Sequence, residues 1–133
     1  MYRPALTAAF IFAIIGVMVG AMGAHALRPA LTAAGSMDTF ETAVKYQFYH
    51  SFALAFGGAL YIFYPSAWIR RATIAFILGI ILFSGSIYLL VYLKTTQSMG
   101  LKGLGILTPI GGVCFILGWL FLLFGIHGKR KGV

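Results

Sequence analysis

Charge is what this chain lacks most. Only 9% of its 133 residues are charged, and only two, Asp38 and Glu41, are acidic. Soluble domains carry roughly 25% charged and about 45–50% apolar residues. Here 61% are apolar and the mean hydropathy is +0.97. That balance excludes an ordinary water-soluble domain, and it excludes a disordered chain, which requires low hydrophobicity. Cysteine is nearly missing as well. Cys114 stands alone, so no intrachain disulfide can form, and its place inside an apolar run marks it as a packing residue. Signatures of chemistry are equally scarce. There is no H-x-x-x-H pair or cysteine cluster for a metal, no Ser-centred elbow, no P-loop, and no dinucleotide glycine pattern after a strand. An enzyme acting on a lipid would need a nucleophile–base pair that the sequence does not offer. No enzymatic activity, metal or cofactor is therefore expected.

Long apolar runs are what the chain has instead. A membrane-spanning helix needs about 20 apolar residues, at roughly 1.5 Å per residue through a hydrocarbon core about 30 Å thick. Four fit, at about 5–24, 44–64, 72–93 and 105–126, within a single domain covering 1–133. The expected fold class is all-α: an integral membrane four-helix bundle whose second helix is preceded by, or continuous with, an interfacial amphipathic turn. The first run follows the basic start Met1-Tyr2-Arg3. Ala24-His25-Ala26 has the form of a signal-peptide cleavage site, but the apolar part of a signal peptide is only about 7–15 residues long. An uncleaved span is expected.

Residues 25–37 read as a break, with Arg28-Pro29 disfavouring helix at the residue before the proline and Ala34-Gly35-Ser36 turn-like. Asp38-Thr39-Phe40-Glu41 then has the D-x-x-E form of a helix start, its acids at the positive end of the dipole. Pro65-Ser66 ends the second span. Trp68, Arg70 and Arg71 follow as boundary anchors, joined by Tyr61 and Tyr64 from the end of the span. Residues 94–104 read as a polar loop, and Thr108-Pro109-Ile110-Gly111-Gly112 as the entry of the fourth span, where proline is tolerated.

The net charge of +8 would point to nucleic acid in a soluble protein. These bases stand at the ends of apolar runs, so membrane lipids are the expected partner and nucleic acid is not. With four spans, Arg3, Arg70, Arg71, Lys129, Arg130 and Lys131 share one side, and Arg28, Lys45, Lys94 and Lys102 the other. The positive-inside rule then places both termini in the cytoplasm of a cell (plasma or inner) membrane.

Seventeen glycines need a reason, because lipid gives no hydrophobic drive between helices and close backbone approach has to replace it. Gly16, Gly20 and Ala24 form one strip of small residues on the first span. Gly111, Gly118 and Gly125 recur every seventh residue on the last, and Ala75 and Gly79 form a shorter strip between them. The strips predict helix packing, or contact with a second copy or a larger membrane partner.

Ionisable groups at membrane depth are a functional hypothesis by default. At 100° per residue Glu41, Lys45, Tyr46, Tyr49 and His50 fall on one half of the second helix, with Gln47 and Ser51 joining its other half. His25 and Tyr88 are the residues that His50 is expected to face. The cluster His25, Glu41, Lys45, Tyr46, Gln47, Tyr49, His50 and Tyr88 is either an interfacial entrance with internal packing, or the lining of a small vestibule for an ion, proton or polar solute. Ser84-Gly85-Ser86 is mid-span, where serines bond to their own helix or a neighbour. Trp119 sits near the middle of the last span and needs a partner for its indole N–H, which the sequence does not identify. His127 stands beside the basic tail.

Four segments taken together resemble one family. They are Gly20-Ala21-Met22-Gly23-Ala24-His25-Ala26-Leu27, Phe40-Glu41-Thr42-Ala43-Val44-Lys45-Tyr46-Gln47-Phe48-Tyr49-His50, Leu82-Phe83-Ser84-Gly85-Ser86-Ile87-Tyr88 and Thr108-Pro109-Ile110-Gly111-Gly112. In this order they resemble the small bacterial membrane proteins called domain of unknown function 423, related to the transmembrane protein 256-like proteins. The resemblance implies a bacterial, multi-pass plasma-membrane protein. It assigns no catalytic or binding role to any residue. The expected function is that of a non-enzymatic structural or accessory membrane protein, with a small oligomeric transporter or channel component as the alternative.

Overall fold

A backbone N–H or C=O left unpaired in hydrocarbon costs several kcal/mol, so a chain this apolar is driven to close its hydrogen bonds within helices. The structure, a computed structural model, describes residues 1–97 and 103–128, and these are helical with no strand among them. The elements are α1 (Arg3–Ala24), α2 (Arg28–Ala33), α3 (Met37–Leu60), α4 (Ala67–Ile80), a π-helical turn (Ile81–Gly85), α5 (Ser86–Thr95) and α6 (Leu104–His127). Among the described residues three rods are long and apolar enough to cross a membrane: Arg3–Ala24, Ala67–Thr95 and Leu104–His127. Lys102, Lys129, Arg130 and Lys131, which enter the orientation argument, lie outside the described residues.

The helices associate as two pairs. α1 runs along α3, α4 runs along α6, and α3 also touches α4, the π turn and α5, so it joins the pairs. Glycine sets the distance within each pair. On α6, Gly111, Gly118 and Gly125 face Phe83, Phe76 and Ile69, so each step of seven along one helix meets a step of seven backwards along the other. Gly79 reciprocates by receiving Phe115. Between α1 and α3, Gly16 receives Phe48, Gly23 receives Phe40, and Gly58 receives Leu6. One core gathers Ala9, Leu54, Ile69, Phe76, Phe115 and Leu122 from the four long helices. A second gathers Leu31, Phe40, Ala43, Ile87 and Val91 around α2. The outside is apolar as well. Phe10, Ile14, Phe52, Phe56, Ile74, Ile81 and Ile116 are exposed, the pattern of a surface solvated by lipid.

Several borders differ from the sequence reading. The break at 25–37 contains α2, which carries Pro29 in its first turn. It closes with Gly35 at φ +58, Ser36 N–H on Leu31 O (2.9 Å) and Gly35 N–H on Thr32 O (3.0 Å), the glycine-closed pattern that satisfies the last carbonyls of a helix. α3 begins at Met37, so Asp38 is already inside it and caps nothing. The side chain of Ser36, the residue before the helix, makes no capping bond either and donates to Ala34 O at 3.2 Å. α4 begins at Ala67 rather than 72, because Ser66 Oγ accepts the Ile69 N–H at 3.4 Å and offsets one unpaired donor of the first turn. Trp68, Arg70 and Arg71 therefore ride on its opening turns, with the Arg71 guanidinium 4.7 Å from the centre of the Trp68 ring. α6 begins at Leu104, which places Pro109 inside the helix and not at its entry.

Candidate functional site

α3 carries the polar residues, and its helical period sorts them into an outer and an inner set. Glu41, Lys45 and Tyr49 point outward, and Lys45 Nζ lies 3.3 Å from Glu41 Oε2. Gln47, His50 and Ser51 point inward and are buried. Tyr46 stands on the boundary, 40% exposed, with its ring stacked 4.7 Å from that of Phe83.

Gln47 is the hub of the inner set. Its Nε2 donates to Phe12 O of α1 at 2.7 Å, and its Oε1 accepts the Tyr88 hydroxyl of α5 at 2.8 Å. The carbonyl of Phe12 can only accept, so the orientation of the amide is fixed by its partners. Ser51 Oγ donates back to Gln47 O at 2.7 Å. One turn before Gln47, Ala43 O accepts Ser84 Oγ from the π turn at 2.8 Å. Across the second pair, Ser86 Oγ and Thr108 Oγ1 are 2.7 Å apart.

His50 lies flat on Phe115, with ring centres 3.4 Å apart and planes 4° from parallel. Its Nδ1 is 2.8 Å from Tyr46 O, and its Nε2 accepts the Trp119 indole N–H at 3.3 Å. A carbonyl accepts only and an indole donates only, so these partners call for the tautomer with its proton on Nδ1. His50 therefore faces neither His25 nor Tyr88. Tyr88 belongs to Gln47, and His25 is exposed at the end of α1. His127 is exposed too, with Nδ1 2.9 Å from Leu123 O.

The structure thus brings Gln47, His50 and Tyr88 together on the inner side, with Tyr46 at the border, and leaves Glu41, Lys45 and Tyr49 on the outer face. Sequence reasoning did not find the partners Phe12, Phe115 and Trp119. The signal available for Trp119 was its mid-span position, which demanded an acceptor without naming one. Among the described residues, no buried side-chain nitrogen or oxygen lacks a hydrogen bond, and no group of three or more His, Cys, Asp or Glu is placed to hold a metal. A groove of about 180 Å³ opens between the end of α1 and the start of α3, and its lining includes neither His25, Tyr46 nor His50.

Apolar helices facing outward, and polar side chains bonded to one another inside, define a multi-pass helical membrane protein. The chain belongs to the family described as protein of unknown function (DUF423), which matches residues 19–112. It is 36% identical over 126 residues to the UPF0382 inner membrane protein YgdD of Escherichia coli (strain K12), covering 94% of this chain and 91% of that one. It is 40% identical over 111 residues to the UPF0382 membrane protein SAB0533 of Staphylococcus aureus, covering 84% of each. With the UPF0382 membrane protein SSP2132 of Staphylococcus saprophyticus it shares 39% over 115 residues, 85% of this chain and 88% of the relative. No solved structure matches the chain significantly.

Proposed function

We propose that the chain crosses the membrane four times, with α3 as the second crossing in chain order beside the three apolar rods and both termini cytoplasmic, and that it serves as a non-enzymatic structural or accessory subunit. The observation that carries this reading is how the inner set on α3 uses its hydrogen-bonding groups. Gln47 and His50 meet partners on α1, α5 and α6, so the most polar part of the interior holds helices together. A path for an ion or polar solute needs such groups turned toward water. Here His50 is 5% exposed and pressed on Phe115, which favours packing over a vestibule.

α3 is 24 residues long, as α6 is, and at about 1.5 Å per residue it matches a bilayer core. Its outer face turns apolar after Tyr49, with Phe52 and Phe56 exposed. The end that carries Arg3, Arg70 and Arg71 also pairs Tyr2 with Tyr61 and Arg71 with Trp68, the residues of a headgroup-level belt.

Extraction into native nanodiscs followed by mass spectrometry tests the role, and a larger membrane protein retained with the chain is the expected result. Solitary, homogeneous particles would count against an accessory subunit. The transport alternative is tested separately with His50→Cys in a Cys114→Ser background. Protection from a membrane-impermeant thiol reagent is expected, and rapid labelling would restore the vestibule. A reporter fused to the C-terminus should be active only on the cytoplasmic side.

A further inference from the structure

Gly20 is not explained by helix packing. On the same helix a Cβ at Gly16 or Gly23 would run into the ring of Phe48 or Phe40 at under 3.0 Å, whereas one at Gly20 would meet Val44 at an ordinary 3.5 Å. The space beside Gly20 belongs to the groove. Gly20, Gly23 and Ala24 line it from α1, Met37, Phe40 and Val44 from α3, and Glu41 and Lys45 complete it. Side chains on a helix lean toward its N-terminus, so Lys45 reaches back along α3 to Glu41, 3.3 Å away, with both side chains more than half exposed (60% and 52%). An exposed pair of this kind adds little stability. An apolar slot and a pair of opposite charges therefore stand together within the first turns of α3.

We propose that this groove binds a glycerophospholipid with a phosphoethanolamine headgroup. An acyl chain lies along Gly20 and Ala24, the headgroup ammonium pairs with Glu41, and the phosphate pairs with Lys45. Charge complementarity selects the lipid, because a zwitterionic headgroup answers both side chains. A purely anionic headgroup answers Lys45 and is repelled by Glu41. The inference rests on α3 entering the membrane at this end.

The test is native mass spectrometry of the full chain, delipidated in mild detergent and offered palmitoyl-oleoyl phosphatidylethanolamine or phosphatidylglycerol. The wild type should hold the ethanolamine lipid about tenfold better, a difference of one decade in Kd. Glu41→Gln should bring the two lipids to parity, and Lys45→Gln should weaken both. Gly20→Leu should remove the adduct by filling the groove. Ala24→Phe makes the same test from an exposed position if Gly20→Leu fails to fold. Equal retention of the two lipids by the wild type, or an adduct indifferent to Ala24→Phe, overturns the site. Sedimentation at alkaline pH separates the failures. A chain that stays with membranes yet holds no ethanolamine lipid loses only the site, and a chain released into the supernatant loses the membrane reading as well.

Discussion

Within each helix pair the tightest contacts are made at glycine, with the Gln47 bond to Phe12 O added between α1 and α3, whereas three side-chain hydrogen bonds cross between the pairs. α4 and α6 lock through Gly118, Gly125 and Gly79, each under a large side chain of the other helix, and Gly111 of α6 lies against the backbone of Phe83 in the π turn; α1 and α3 repeat the device with Gly16, Gly23 and Gly58. The seam between the pairs is different. It is crossed by Ser84 to Ala43 O, Tyr88 to Gln47 and Trp119 to His50. All three end on α3 within two turns of helix. The difference follows from lipid as solvent. Dispersion rewards only very close backbones, which antiparallel neighbours achieve at several points along their length. Rods that meet over a shorter stretch gain more from a few directional bonds. The contrast predicts that glycine substitutions unfold a pair and that polar substitutions loosen one pair from the other.

The largest effect is expected at Gly111. A Cβ there would collide with the backbone N and Cα of Phe83, which cannot rotate away as a side chain can. Overpacking costs about 1–3 kcal/mol where side chains absorb it, and more where they cannot. Gly111→Val should therefore abolish a monodisperse, thermally cooperative sample in mild detergent. A variant that melts like the wild type would remove glycine from the account of the α4–α6 pair.

Gly16→Leu comes next, at about 1–3 kcal/mol by the same reasoning, because the obstacle is the Phe48 ring at 2.9 Å. The ring can be shortened, so Phe48→Ala should recover part of the lost melting temperature in the double variant. Absence of any recovery would show that the penalty arises elsewhere on α1.

How far this contrast could be read from sequence depends on which half of it is considered. The strip Gly111, Gly118 and Gly125 was visible because period seven survives in the one-dimensional sequence. Its counterparts Phe83, Phe76 and Ile69 keep the same period but look like any other apolar residues of a span. Of the strip Gly16, Gly20 and Ala24 on α1, only Gly16 meets a ring of α3, and Gly20 lies beside the groove. Ala24 lines the groove, and the contact falls on Gly23. The resemblance to the family was legible in the segments around Gly20, Phe40, Leu82 and Thr108, and the match over residues 19–112 bears it out. The polar seam was only half legible. Gln47, His50, Tyr88, Ser84 and Ser86 could be singled out because polar atoms are rare at that depth. Their pairing depends on helix rotation and on the π turn, and nothing local in Ile81 to Gly85 announces the π turn.

Gln47→Leu is the sharpest test of the seam. It removes the bonds to Phe12 O and Tyr88 at once and leaves the half-buried Tyr88 hydroxyl without its acceptor. Interhelical hydrogen bonds in membranes contribute about 0.6–2 kcal/mol each, so a loss of about 1–3 kcal/mol is expected. The double variant with Tyr88→Phe should cost less than the sum of the singles, as partners in one bond do. Additive losses would mean that the two residues are not coupled across the seam.

The smallest effect is expected at Gly20, and it divides the glycines most finely. Gly20 shares a helix face with Gly16, and sequence period alone assigns both to one packing strip. The geometry separates them, because a Cβ at Gly20 has only Val44 at 3.5 Å. A methyl group there would fit without moving a neighbour, so Gly20→Ala should change stability by no more than about 0.5 kcal/mol, the usual range for a substitution away from tight contacts. Gly16→Ala, set against Phe48, should cost measurably more in the same detergent melt. Equal costs at the two positions would mean that α1 approaches α3 as closely at Gly20 as at Gly16, and the groove between them would close.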